Sequence, residues 1–175
     1  MSGSIENQIN NVLTDIFKLK MYPQSLVVHS DFDSAFLLSE YYSAQENYID
    51  HSVFSKLRDL YINEAVEMYS LDAYLKGGIG FEKIYDGYLK SLDVDSVCSN
   101  KQSYSFIIKF TADNYIVGLD EEVVIFLSRK KFGFIERLGG KGYFESLFEK
   151  QQGIVSTPLD LKTIAHLKEI FYQRT

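Results

Sequence analysis

Residues able to do chemistry are sparse in this chain and stand far apart. Asp31 and Asp33 place two carboxylates on either side of Phe32, and hard cations prefer oxygen ligands, but no third acid or histidine follows at a matching spacing. Acids in a first helical turn, favoured by the helix dipole, explain the pair better. His29, His51 and His166 form no paired ligand motif. Cys98 is the single cysteine, and a nucleophilic pairing with His166 would have to be assembled in space. Gly77-Gly78-Ile79-Gly80 and Gly139-Gly140-Lys141-Gly142 each open an expected helix, where free amides attract anions. Their spacing fits neither the dinucleotide fingerprint nor the phosphate loop, and caps or tight turns account for both. No catalytic, cofactor or metal motif emerges, so the chain reads as a non-enzyme.

One carboxylate stands out through its setting. From Asp50 or Ser52 to Leu75 the apolar residues Val53, Leu57, Leu60, Tyr61, Met68, Leu71 and Leu75 share a broad face at 100 degrees per residue. This spacing predicts a long helix, and Glu64 falls in the middle of its apolar face. A buried carboxylate there must be paired, protonated or functional, unless the helix breaks nearby. Ile62, Val66 and Tyr69 lie opposite, which gives the expected helix a second apolar side suited to self-association.

Other helices are expected at 4–20, from Ser30 or Asp31 through Phe32, Ala35, Phe36 and Leu38 towards Gln45, over Phe81 to Leu92, over Tyr143 to Lys150, and from Pro158 onward. Thr157-Pro158-Leu159-Asp160 is the sharpest of these signals, an N-cap followed by proline at the first helical position. Asp93 to Lys101 reads as a loop. Between 102 and 138 the period changes to two. Tyr104, Phe106, Ile108 and Phe110 alternate with Ser105, Ile107, Lys109 and Thr111, and Asp113-Asn114 supplies a turn. Strands follow at Tyr115 to Leu119, Val123 to Ser128 and Phe132 to Leu138, where Gly133 marks a bulge or a close backbone approach. The expected fold is a single α+β domain over 1–175. A four-stranded antiparallel meander is covered by N-terminal helices and closed by two C-terminal ones.

Charge is the clearest pointer to function. The net charge is −6, but residues 1–100 hold 15 acids and 7 bases while the remaining 75 residues hold 9 and 11. Such an acidic half repels nucleic acid and attracts a basic partner. Tyrosines are interleaved with the acids, and tyrosine anchors interfaces at low entropic cost. Asp31, Asp33, Glu40, Glu46, Asp50, Asp59, Glu67 and Asp72 are therefore candidate partner-binding acids, with Tyr41, Tyr42 and Tyr48 as anchors.

No apolar run approaches the roughly 18–20 residues of a membrane helix, and a cytoplasmic monomer or weak homodimer is expected. In size, acidity and lack of catalytic motifs the chain is similar in style to bacterial immunity proteins and phage-encoded inhibitors. The resulting expectation is a non-catalytic inhibitor of immunity or antitoxin type that blocks a basic, nuclease-like protein. Two alternatives remain: a sensor or enzyme with a pocket between sheet and helices around Glu64, and a structural protein that self-associates through the long helix.

Overall fold

The computed structural model describes residues 32–38, 51–75, 81–111, 114–119, 123–129 and 133–154, together with Ala165, Lys168, Glu169 and Tyr172. The fold is α+β, built on a six-stranded antiparallel sheet. Its strands are β1 (Phe32–Leu38), β2 (Ala65–Ser70), β3 (Glu82–Tyr88), β4 (Phe106–Phe110), β5 (Asn114–Leu119) and β6 (Val123–Arg129), in the spatial order β1-β6-β5-β4-β2-β3. Described helices are α1 (His51–Leu60), α2 (Asp72–Leu75), α3 (Val94–Lys101), α4 (Phe134–Arg137) and α5 (Lys141–Ile154), with a 3₁₀ turn at Leu89–Ser91.

The expected meander is present in β4, β5 and β6, where the alternation was strongest. Ile108, Ile116 and Phe126 stand opposite one another on a first face, and Ile107, Val117 and Ile125 on the second. All six are fully buried, so the sheet is covered on both faces at its centre. Two polar residues share this interior: Ser128 Oγ donates to Asn114 Oδ1 at 2.6 Å, so neither is left unsatisfied.

The fourth strand of that meander does not form, and three strands lie elsewhere. Phe132 to Leu138 was expected to extend the sheet; instead Phe134–Arg137 is one helical turn. Gly133 opens it at φ 62 and ψ 28, a left-handed conformation that glycine adopts without strain. Nothing lies within 4 Å of a Cβ built there, so the requirement is conformational rather than steric. The expected helix through Phe32 and Leu38 is β1, whose central residues Ala35, Phe36 and Leu37 are all buried. Phe32, Ala35 and Phe36 have the three- and four-residue spacing of a helix face, but pairing with β6 decides the conformation.

The long helix is also overturned. It stops at Leu60, a turn closes with Glu64 N donating to Tyr61 O at 2.9 Å, and β2 begins at Ala65. Asn63 suits that turn. Val66 and Met68 then take the core-facing positions of a strand, so the two-sided helix proposed for self-association does not exist.

The helical spacing of Phe81, Ile84, Tyr85 and Tyr88 has a different origin. It belongs to β3, whose pairing with β2 shifts between Met68 and Tyr69. A bulge adds one residue to one strand and so breaks the period of two, leaving three- and four-residue spacings that imitate a helix. The expected loop after it is α3, capped by Asp93, whose Oδ1 accepts from Ser96 N at 3.2 Å. The helix expected at Tyr143 to Lys150 is present as α5. Helices expected at 4–20 and from Pro158 fall largely outside the described residues, although Ala165, Lys168 and Glu169 are helical.

Aromatic rings join helices to sheet. Phe134 of α4 meets Phe110 at 5.4 Å and Tyr61 at 5.7 Å, and Phe144 of α5 meets Phe126 at 5.0 Å. Among the described residues no helix is long and apolar enough to cross a membrane.

Candidate protein-binding surface

The expected partner-binding acids separate once their surroundings are known. Asp31, Glu40, Tyr41, Tyr42, Glu46, Tyr48 and Asp50 lie outside the described residues. Asp33 is half-buried on β1. Glu67 and Asp72, by contrast, are engaged inside the fold. Asp72 Oδ1 accepts from Ser105 N at 2.8 Å and Tyr104 N at 3.2 Å, which fastens α2 to the start of β4. Glu67 Oε2 accepts from the Tyr69 hydroxyl at 2.6 Å and pairs with Lys83 Nζ at 2.8 Å.

Glu64 has a structural place as well. Its Oε1 accepts from Thr111 N at 2.9 Å and from the Thr111 hydroxyl, and its main-chain O accepts from Leu89 N at 2.9 Å. Both escapes foreseen for a carboxylate on an apolar face are realised: the helix ends before it, and it finds donors. It is half-buried rather than sealed in a core.

The second face of the sheet changes character at the β2–β3 end. Register places Glu67 opposite Asp86, and Ala65 opposite Tyr88. Two carboxylates directly across a strand pair repel, and Lys83, brought to this face by the bulge, stands between them at 2.8 Å from Glu67 and 3.3 Å from Asp86. The hydrogen bond from Lys83, then that from Tyr69, holds the Glu67 carboxyl below its ordinary value. Desolvation foremost, and then the bond to Glu67, raises the Tyr69 hydroxyl, while Glu67 and Asp86 raise the Lys83 ammonium.

Beside this network lies an exposed corner. Leu60, Ile62 and Tyr88 are 49 %, 54 % and 53 % exposed. Tyr88 closes β3 opposite Ala65, and Arg58 Nη2 donates to Leu92 O at 2.8 Å, tying the end of α1, which carries Leu60, to the segment after β3. Large exposed apolar groups beside polar ones mark interaction sites, whereas scattered single ones do not. Tyr104, 57 % exposed, stands apart at the other end of β2 and β4.

The charges at the corner are mixed, and its bases are engaged. Lys56 donates to Leu138 O and lies over the Tyr143 ring, Arg58 is held by Leu92 O, Lys83 by two carboxylates, and Lys90 lies 5.5 Å from the Tyr88 ring centroid. Asp59 is exposed and has no ion-pair partner among the described residues. Sequence reasoning singled out Asp59, but missed Asp86 and Tyr88, because their face depends on a bulge that no local pattern announces.

His51 opens α1, and Cys98 sits half-buried on α3; His29 and His166 lie outside the described residues. Among the described residues no three of His, Cys, Asp and Glu come together as a metal-binding group. The first glycine cluster also lies outside them, while Gly139 and Gly140 adopt φ 126 and 85 in the turn that starts α5. No family model, curated protein or solved structure matches this chain.

Proposed function

We propose that the chain is a non-catalytic inhibitor of immunity or antitoxin type, which binds a basic, nuclease-like protein through the corner formed by α1, β2 and β3. The carrying observation is the exposure of Leu60, Ile62 and Tyr88, together with that of Asp59 and Asp86, on the end of α1, the turn after it and β3. Covering the exposed half of each apolar side chain contributes on the order of 1 kcal/mol, and the acids steer a basic partner into place. The acidic half of the chain supports the same reading, with residues 1–100 holding 15 acids against 7 bases.

Asp59 and Asp86 act towards the partner, Tyr88 is the aromatic anchor, and Glu64, Glu67 and Asp72 hold the surface in shape. The test is affinity capture of a basic protein, at low salt and at about 0.5 M, where the Debye length falls to roughly 4 Å. Capture must weaken with salt and be lost in Tyr88→Ala and in the double variant Asp59→Lys, Asp86→Lys. A captured protein whose activity is unaffected by this chain would contradict the inhibitor reading.

A further inference from the structure

β3 is an edge strand, paired with β2 on one side and, among the described residues, with nothing on the other. Edge strands expose unpaired main-chain groups, which charges and bulges blunt. The two halves of β3 differ in this respect. Glu82 and Lys83 are exposed charges at the bulged end, where the register against β2 shifts between Met68 and Tyr69. From Tyr85 to Tyr88 the pairing runs without a shift, and it ends on Tyr88, one of the exposed corner residues.

Two hydrogen bonds fix which groups of β3 face outward. Leu89 N donates to Glu64 O at 2.9 Å, and the β2–β3 register continued by one residue sets Leu89 opposite Glu64, so that pair is hydrogen-bonded. Alternation makes Gly87 and Tyr85 the next bonded residues, and turns the main-chain groups of Tyr88 and Asp86 away from β2. The far side of β2 agrees: Leu71 N donates to Ser105 O at 2.9 Å, so Glu67 and Tyr69 bond β4 while Val66 and Met68 bond β3. One outward group is already used, since the Tyr85 hydroxyl donates to Tyr88 O at 2.6 Å. Gly87 lets it reach there, because a Cβ would stand 2.9 Å from that hydroxyl. Both main-chain groups of Asp86 and the N–H of Tyr88 are left open to a new strand.

We propose that the partner in the inhibitor reading, on which this inference rests, adds an extended basic segment antiparallel to β3, pairing main chain with main chain at Asp86 and Tyr88. The charge of the edge selects that segment. Lys83 offsets only one of the two carboxylates it bridges, and the excess lies with Asp86, whose side chain is 65 % exposed against 26 % for Glu67. Opposite charges directly across a strand pair attract, so a lysine or arginine of the segment stands opposite Asp86. Two residues earlier, opposite Tyr88, stands an apolar side chain, because Lys90 already lies 5.5 Å from that ring centroid and a second base would meet it. A second copy of this chain supplies no such match. A two-fold axis through Asp86 opposes two aspartates, and one through Gly87 leaves each Asp86 against Tyr88.

The probe is a short capped peptide, valine-threonine-valine-threonine-lysine-threonine, titrated into the full-length chain and read by amide shifts and amide exchange. The Asp86 and Tyr88 amides shift, and exchange about tenfold more slowly once the peptide reaches roughly ten times its dissociation constant. The same peptide N-methylated at its lysine keeps the charge but loses the donor to Asp86 O, and binds about fivefold more weakly. Equal binding of the two peptides is a charge contact without strand pairing and overturns the proposal, as does the absence of any response at these two amides. Protection that grows with the chain's own concentration is pairing with a copy, and overturns it too. Capture of a basic protein separates this result from the inhibitor reading. Asp86→Pro removes an outward N–H that an edge strand can spare, and Asp86→Asn controls for the lost carboxylate. Capture that is equal in these two folded variants overturns the strand pairing alone, whereas no capture even by wild type contradicts the inhibitor reading.

Discussion

Glu64 and Thr111, 47 residues apart, are joined twice: the main-chain N and the hydroxyl of Thr111 both donate to Glu64 Oε1. With Leu89 N on its carbonyl, Glu64 ties the starts of β2 and of the 3₁₀ turn to the end of β4. Thr111 is exposed, so water partly replaces a lost carboxylate. Glu64→Ala is therefore expected to cost about 1 kcal/mol, and Glu64→Gln less, read as a lowered urea midpoint at unchanged slope. A catalytic role would show the opposite signature, with stability unmoved.

Tyr61 offers a substitution in the other direction. Its hydroxyl is buried without a hydrogen-bond partner, while its ring packs on Phe110 at 5.8 Å and Phe134 at 5.7 Å. Tyr61→Phe keeps the rings and removes the unsatisfied group, so stability should hold or rise by up to about 1 kcal/mol. A marked loss would mean that the hydroxyl has a partner in solution.

A close approach within the sheet sets a third test. The Phe106 ring lies across Gly118, and a Cβ at that position would stand 2.2 Å from ring atom Cε2. Gly118→Ala forces the fully buried ring aside and is expected to cost about 1–3 kcal/mol. Phe106→Leu should recover part of that cost, which a double-mutant cycle reads as coupling.

The shifted groups predict a stability profile with two limbs. Glu67 has its carboxyl held below the ordinary value of 4.5, foremost by Lys83, so its contribution is present above that pH and is lost as pH falls through the lowered value. Tyr172 is shifted upward from 10.0 by burial, so the stability tied to its neutral phenol is present below pH 10 and lost as pH rises beyond it. Tyr172→Phe should weaken the alkaline limb in a melting-temperature series against pH and leave the acid limb in place. A single change in both limbs would contradict these assignments.

Legibility in the sequence followed periodicity. β4 was readable because Phe106, Ile108 and Phe110 recur at a period of two, β5 and β6 because short apolar runs stand between polar turn residues, and α5 because its apolar residues recur at helical spacing. β1 was not, since Phe32, Ala35 and Phe36 stand three and four residues apart, the spacing of a helix face, although the segment pairs with β6 as a strand. β2 and β3 were hidden by a turn at Asn63 and by the bulge beside Tyr69, each of which shifts spacing by a residue or so. Among the site residues, the acids were visible but their duties were not. Whether Asp72 faces a partner or the amides of Tyr104 and Ser105 is decided by a contact 33 residues away. Only pairing across strands shows that Glu67 and Asp86 share Lys83, with Asp86 the more exposed of the two.

The most direct measurement of the central claim is binding of a purified basic target protein to wild type and to Tyr88→Ala, by calorimetry at low salt and at about 0.5 M. The account predicts tight binding that weakens with salt, and a loss of at least about 2 kcal/mol on removing the Tyr88 ring, the scale of an interface hot spot. Binding indifferent to both salt and Tyr88 would contradict it.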